Sequence, residues 1–393
     1  LLKTLFSILW LAVMITPMAT ASQTGKASLT TRLVDHYSER IFRDSAAVGM
    51  VLVVIDNHQV LSRSLGTTKP GLQQRPRLDS LIRIASITKL MTSEVMVKMA
   101  REGKIKLTDP LYKYAPRGTP TPAHQRQRPI TLLNLATHTS ALPREHPGRK
   151  PTGTAVFTWP TKTERWQWLA RTRLNTPPGR KAIYSNLAYD LLADALARAA
   201  GKPYSKLLYE KVTAPLGMVD TTLQPTAEQC ARLMIAEVRP SECRATLAAA
   251  GSGGIYSTPR DILHWMQHFL ITDRKQSRKP TAKQEQRMYF QRDDLLSLIG
   301  MDVPGEAAAV GLGWVYLAPK HGMPGIMQKT GGGGGFITYL AMVPEKNIAA
   351  FVVVTRSSST KFTRMSDPVN QLLADLVAKR DNIPKLLFSK NVQ

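Results

Sequence analysis

The apolar and polar positions divide the chain into strand-rich ends and a helix-rich middle. Residues 29–42 read as a helix leading into the run 48–55. The polar turn Asp56-Asn57-His58 follows, and then the run 60–65 ending at Gly66. Two β-rich runs around a short Asp/Asn turn predict a hairpin. From Ser86 to about Glu102 the pattern becomes helical. Leu90, Met91, Val95, Met96, Val97 and Met99 make this helix apolar on nearly every side, and Gly103 stands at its end. A helix apolar most of the way round is a buried one. Further helices are expected at 186–200 and 260–270, separated by Pro- and Arg-rich loops at 115–130 and 143–161 and a basic polar stretch at 273–287. Strands return at 313–317, 326–330, 336–343 and 348–355, the last two joined by the turn 344–347, and a helix at 367–379 closes the chain.

Strands at both ends with helices between them predict an α/β chain of the α+β type. One antiparallel sheet is built from both termini with flanking helices and carries an inserted, mainly helical part. The expected boundaries are a leader at 1–21, a sheet domain from 22–80 and 311–393, and a mainly helical domain at 81–310. The active site is expected at the seam.

The leader reading rests on Lys3, the apolar run 5–15, Pro17 and the small-residue sequence Ala19-Thr20-Ala21, the order of a cleaved secretory signal. Its apolar run is short of the ~20 residues a membrane-spanning helix needs. The expected compartment is therefore oxidising and outside the cytoplasm. There the two cysteines, Cys230 and Cys243, with twelve residues between them, are expected to form a disulfide. No Cys-x-x-Cys or nearby histidine completes a four-ligand metal set around them. The formal net charge of +25 would suggest nucleic acid in a cytoplasmic chain. Export replaces that partner with anionic lipid headgroups and the carboxylate-bearing wall.

Three short motifs carry candidate chemistry. Ser86-Ile87-Thr88-Lys89 stands where a strand-like run, 81–85, gives way to the buried helix. Residues i and i+3 share a helix face, so the lysine amine reaches the serine hydroxyl, and the helix N-terminus favours a developing oxyanion. By itself this spacing is weak, because a helix-capping serine explains it equally well. Tyr184-Ser185-Asn186 precedes a helix and follows the turn Pro177-Pro178-Gly179. Lys329-Thr330-Gly331 ends a strand and runs into Gly332–Gly335. Glycines there let an extended peptide lie against the strand edge.

In that order and at those separations the motifs resemble the Ser-x-x-Lys, Tyr-x-Asn and Lys-Thr-Gly signature of class C β-lactamases and low-molecular-weight DD-peptidases. The resemblance extends through 131–143, 215–218, 253–258 with Asp261, and 311–314. The runs 83–94 and 328–339 are most similar to AmpH-type D-alanyl-D-alanine carboxypeptidase/endopeptidases. Ala141 departs from the family pattern, which usually has glycine after His-Thr-Ser. The resemblance implies a β-lactamase/DD-peptidase-like fold with Ser86 as acylated nucleophile and Lys89 and Tyr184 as the proton-transfer pair. It makes Asn186 a substrate amide contact, Lys329 and Thr330 the groups facing the substrate carboxylate, and Gly331 a further substrate-binding position. The backbone N–H groups of Ser86 and Gly332 would form the oxyanion hole. It implies no cofactor and no metal, peptidoglycan muropeptides as substrates, β-lactams as acylating ligands and a periplasmic location.

The base stays open at this point. A free tyrosine with a pKa near 10 is about 0.1% ionised at pH 7. Two flanking ammonium groups, Lys89 and Lys329, can each lower it by ~1 to 3 units and also favour a neutral Lys89. Either residue, or both in relay, can serve. Arg356, just past the last strand, is a candidate for recognising a terminal carboxylate. His138 reads as satisfying a backbone carbonyl in its turn. His264 and His268, one helical turn apart, lack a third ligand and read as surface or half-buried residues. The expected activity is removal of terminal D-alanine and cutting of D-alanyl cross-links. The rival readings are a class C-type β-lactamase, a D-amino-acid esterase and a catalytically silent wall-binding or β-lactam-sensing protein.

Overall fold

The computed structural model describes residues 27–125, 128–270, 279–301 and 306–381. The leader expected at 1–21 and the first part of the basic stretch at 273–287, as far as 278, lie outside the described residues. Helix α1 (Leu29–Ser45) starts where the Ser28 side chain accepts a hydrogen bond from the Thr31 amide, and it buries Leu33, Val34, Tyr37 and Ile41 on one face. It leads into the predicted hairpin, β1 (Gly49–Asp56) and β2 (Gln59–Gly66). The remaining strands of the main sheet come late: β3 (Met288–Gln291), β4 (Ala307–Gly311), β5 (Val315–Leu317), β6 (Ile326–Gly333), β7 (Phe336–Val343) and β8 (Ile348–Thr355). Their order across the eight-stranded antiparallel sheet is β2-β1-β8-β7-β6-β5-β4-β3. The sheet thus joins the two ends of the chain, as the strand pattern predicts.

All eight positions of β1, β7 and β8 are buried. Alternation explains this, because each strand packs one side chain in two against each of two layers. Met50, Leu52 and Val54 face α1 and the closing helix, with Val369, Leu372 and Leu376 in the same cluster. Val51, Val53 and Ile55 face the helical part, with Leu90, Met91 and Trp265. That part is built around α2 (Thr88–Arg101), α3 (Asn186–Ala200), α4 (Pro259–Phe269) and the short α5 (Pro280–Glu285). The apolar side chains of α2 from Leu90 to Met99 are buried, each contributing about 1.5–3 kcal/mol.

Two differences from the sequence expectation have physical causes. The closing helix, α6 (Thr363–Arg380), begins four residues earlier than expected and carries Pro368 inside it. Proline argues for a helix start, but Met365 and Ser366 are already fully buried upstream of it. β5 starts at Val315 rather than 313 because Gly313 sits at φ +81° in the turn from β4 and gives its N–H to Ala136 and Gly311 carbonyls. As a result β5 pairs with β6 only through Gln328.

No described helix is long and apolar enough to cross a membrane. Cys230 and Cys243 are joined as expected, with Cα atoms 5.7 Å apart. The bond closes a loop whose Ser241 hydroxyl donates to the Gly334 carbonyl and accepts from Arg83 Nε. Replacing both cysteines by serine should remove about 2–4 kcal/mol of stability. The expected readout is a lower thermal unfolding midpoint that reductant no longer changes; a midpoint equal to that of the wild type would contradict it.

Candidate active site

The three motifs, separated by up to 245 residues in sequence, meet at Ser86. A short bridge between Ile82–Arg83 and Tyr256–Ser257 fixes the approach, and the Ile84 carbonyl accepts from Thr338 on β7. Ala85 is left-handed at φ +47°, a conformation uncommon for a residue with a Cβ and frequent where a fold presents a reactive side chain. A single tight turn, Ala85–Ile87, then enters α2, so Ser86 and Lys89 share the first turns of one buried helix.

Lys89 is fully buried. Its Nζ lies 3.2 Å from Ser86 Oγ, 2.7 Å from Asn186 Oδ1 and 2.5 Å from the Ser252 carbonyl. Tyr184 Oη is 2.6 Å from the same Ser86 Oγ. Three basic groups lie against the Tyr184 ring: Lys89 Nζ at 4.8 Å, Lys329 Nζ at 4.6 Å and the Arg144 guanidinium at 4.6 Å from its centroid. Burial and then the charge of Lys329 hold the Lys89 amine well below the ordinary lysine range.

Strand β6 forms the opposite wall. Past Gln328 it pairs only with β7, and the other edge of Lys329–Gly333 faces Ser86. A Cβ on Gly331 would lie 2.2 Å from Thr338 Oγ1, 2.7 Å from the Ile84 carbonyl and 3.1 Å from Ser86 N. Glycine is therefore required for the strand to approach Ser86. At Gly332 a Cβ would meet nothing within 4 Å, so that position opens into the cleft. The cleft has a volume of about 430 Å³ and gathers Ser86, Tyr184, Asn186, Thr330, Gly332 and Arg356. Arg356 Nε is buried without a hydrogen-bond partner among the described residues. A larger cleft of about 1020 Å³, bounded by residues 161–165, 193–205 and 247–250, holds none of these groups.

Two contributors, Asp190 and Glu145, carry no signal of their own in the sequence. Asp190, one turn after Asn186 on α3, accepts from the Gly251 and Ser252 amides at 3.1 and 3.0 Å and from the Ser252 hydroxyl at 3.0 Å. It thereby holds the carbonyl that Lys89 uses. Burial pushes its carboxyl up to about 6. Glu145 accepts from Asn186 Nδ2 and so helps orient that amide. His138 does not serve a carbonyl as expected. Its Nδ1 accepts the Ser185 amide at 3.0 Å and its ring stacks on Tyr184, with centroids 4.5 Å apart. Burial, then Lys329 and Lys89, holds this imidazole well below the ordinary histidine range, which suits an acceptor nitrogen. Ala141 has φ +62°, the region that favours glycine and the reason an alanine there is unusual.

The β-lactamase family model matches residues 30–375. The chain belongs to the β-lactamase family. The D-alanyl-D-alanine-carboxypeptidase/endopeptidase AmpH of Escherichia coli K12 is 55% identical over 375 residues, covering 95% of this chain and 96% of its own. The β-lactamase/D-alanine carboxypeptidase from Yersinia pestis, solved with citrate, is 67% identical with a TM-score of 0.87, covering 89% of this chain and 99% of its own. A class C β-lactamase from Rhodobacter sphaeroides shares the fold at 20% identity and a TM-score of 0.68, covering 87% of this chain and 99% of its own.

Asp190 gives a test of the electrostatics in this β-lactamase-family site. Its negative charge holds the Lys89 amine up against burial and Lys329. Asp190→Asn removes that support, so Lys89 should lose its proton at lower pH. The acid limb of the rate of acylation by a chromogenic cephalosporin should then move to lower pH. An unmoved limb would show that Asp190 acts on Ser252 by hydrogen bonding alone.

Proposed function

We propose that this chain is a serine D-alanyl-D-alanine carboxypeptidase and endopeptidase acting on peptidoglycan muropeptides. The observation that carries the reading is the convergence of Lys89 Nζ and Tyr184 Oη on Ser86 Oγ, in a chain 55% identical to the Escherichia coli carboxypeptidase/endopeptidase.

A neutral Lys89 amine has two hydrogens and one lone pair. Its hydrogens match Asn186 Oδ1 and the Ser252 carbonyl, leaving the lone pair for the Ser86 hydroxyl. Lys89 thus takes the serine proton as Oγ attacks the carbonyl of the penultimate D-alanine. The oxyanion is received by the backbone N–H groups of Ser86 and Gly332. Tyr184, whose hydroxyl reaches the same oxygen, passes a proton to the departing amine. Water then cleaves the acyl-enzyme by the same relay. Asn186 holds the substrate amide, and Lys329, Thr330 and Arg356 face the carboxylate beside the leaving nitrogen. The same geometry serves a terminal D-alanine and a D-alanyl cross-link, since only the leaving amine differs.

In this reading the mainly helical domain, 81–310, which also lends β3 and β4 to the sheet, carries the nucleophile and base, and the sheet domain, 22–80 with 311–393, carries the substrate-facing edge. The leader at 1–21 delivers the chain to the periplasm, where its charge draws it to anionic membrane or wall surfaces.

Digestion of defined monomeric and cross-linked muropeptides, with products identified by mass, tests the reaction. Wild type should release D-alanine and separate cross-links, and Ser86→Ala should do neither. A wild type that turns over penicillins quickly and leaves muropeptides intact would overturn the reading in favour of a β-lactamase. Lys89→Met should lower kcat/KM by about 10²–10⁴-fold. For Arg356→Ala, loss of a charge-assisted contact should lower kcat/KM on D-alanyl peptides by about 10–100-fold. An unchanged value would remove Arg356 from substrate recognition.

A further inference from the structure

About one and a half turns along α2 from Lys89, three ionisable side chains meet in the interior without any part in the chemistry above. Glu94 comes from α2, His268 from the end of α4, and Glu285 is the last residue of α5. Their exposures are 0%, 7% and 2%. His268 Nε2 lies 3.5 Å from Glu285 Oε2 and 3.9 Å from Glu94 Oε1, and one ligand atom from each residue falls within 4.8 Å of the others.

Glu94 is compensated: its Oε1 accepts from Lys98 Nζ at 2.5 Å and its Oε2 from Trp265 Nε1 at 2.7 Å. Glu285 is not. Neither of its carboxylate oxygens, nor His268 Nε2, has a hydrogen-bond partner among the described residues. A buried carboxylate left so is costly unless it is protonated or meets a cation.

We propose that Glu94, His268 and Glu285 form a binding site for one divalent transition-metal cation of the zinc type. One imidazole nitrogen with two carboxylate oxygens is a borderline donor set that suits zinc or a neighbouring first-row ion, whereas calcium takes 6–8 oxygens. A tetrahedral ion about 2.1 Å from each donor holds the donors about 3.4 Å apart. The observed 3.5 and 3.9 Å from His268 need only a small contraction, and the two carboxylates, within 4.8 Å of each other, need a larger one. The ion would offset the second carboxylate, which Lys98 alone does not, and would clamp α4 and α5 to the helix that starts at the nucleophile. Its role is structural, since the serine chemistry needs no metal.

The competing occupant is a proton shared within the cluster, because burial and the Glu94 charge both push the Glu285 carboxyl up. Titration of the chelator-stripped, full chain with zinc chloride, and with magnesium chloride in parallel, separates the two. Calorimetry and metal analysis should give one zinc per chain, a raised thermal midpoint and no magnesium response. Glu285→Gln and His268→Gln should each weaken zinc at least about tenfold. If either variant fails to fold, anomalous scattering at the zinc edge from wild-type crystals should place the ion between the three side chains. Absence of stoichiometric zinc, zinc retained unchanged by both variants, or a midpoint that answers to acid but not to zinc or chelator would overturn the proposal.

Discussion

The interior position of the Lys89 amine is the constraint around which the site is arranged. An ammonium taken out of water needs compensation, and the surroundings of Lys89 supply it with oxygens rather than with a direct ion pair: a side-chain amide, a backbone carbonyl and the Ser86 hydroxyl. Lys329 and Arg144 nearby add cationic charge. Burial and these two charges, not the oxygens, push the amine toward its neutral form, the form that can accept a proton. The buried Asp190 limits the effect from one shell further out.

This requirement runs back into the fold. Ser252 presents its carbonyl only because two neighbouring amides are tied to Asp190, and Gly251 admits no Cβ because the Tyr189 carbonyl would lie 2.0 Å from it. Asn186 reaches Lys89 from the first turn of α3, where Ser185 caps the helix. The sheet contributes from the other side, where a Cβ on Gly331 would lie 3.1 Å from Ser86 N. The site is thus a contact surface between two layers, each buried for ordinary hydrophobic reasons.

Much of this was legible because the decisive groups come in short motifs. Ser86 with Lys89, Tyr184 with Asn186 and Lys329 with Gly331 are each weak alone and strong in that order. The hairpin, the buried α2 and the late strands β6 to β8 are legible from periodicity. The sheet edge was not: β3 and β4 read Met-Tyr-Phe-Gln and Ala-Ala-Ala-Val-Gly, too short or too alanine-rich to announce strands. Asp190 was hidden because its partners lie about sixty residues away on a glycine loop. Glu94, His268 and Glu285 belong to three helices, so no spacing rule joins them. Of the two histidines expected at the surface or half-buried, His264 is half-buried, but His268 is buried and meets the two glutamates.

The early end of β5 has a wider consequence. If the strand continued two residues toward Gly313, the register would bring Trp314 and Gly313 opposite Lys329 and Thr330. The sheet would gain hydrogen bonds and the enzyme would lose the edge along which a peptide can lie. Gly313 prevents this with a left-handed turn against Tyr189, whose hydroxyl would be 2.8 Å from any Cβ there. Stability and activity therefore pull in opposite directions at one residue. Selection for a more robust sheet, in the laboratory or in nature, would be expected to close the groove before it improved the catalyst.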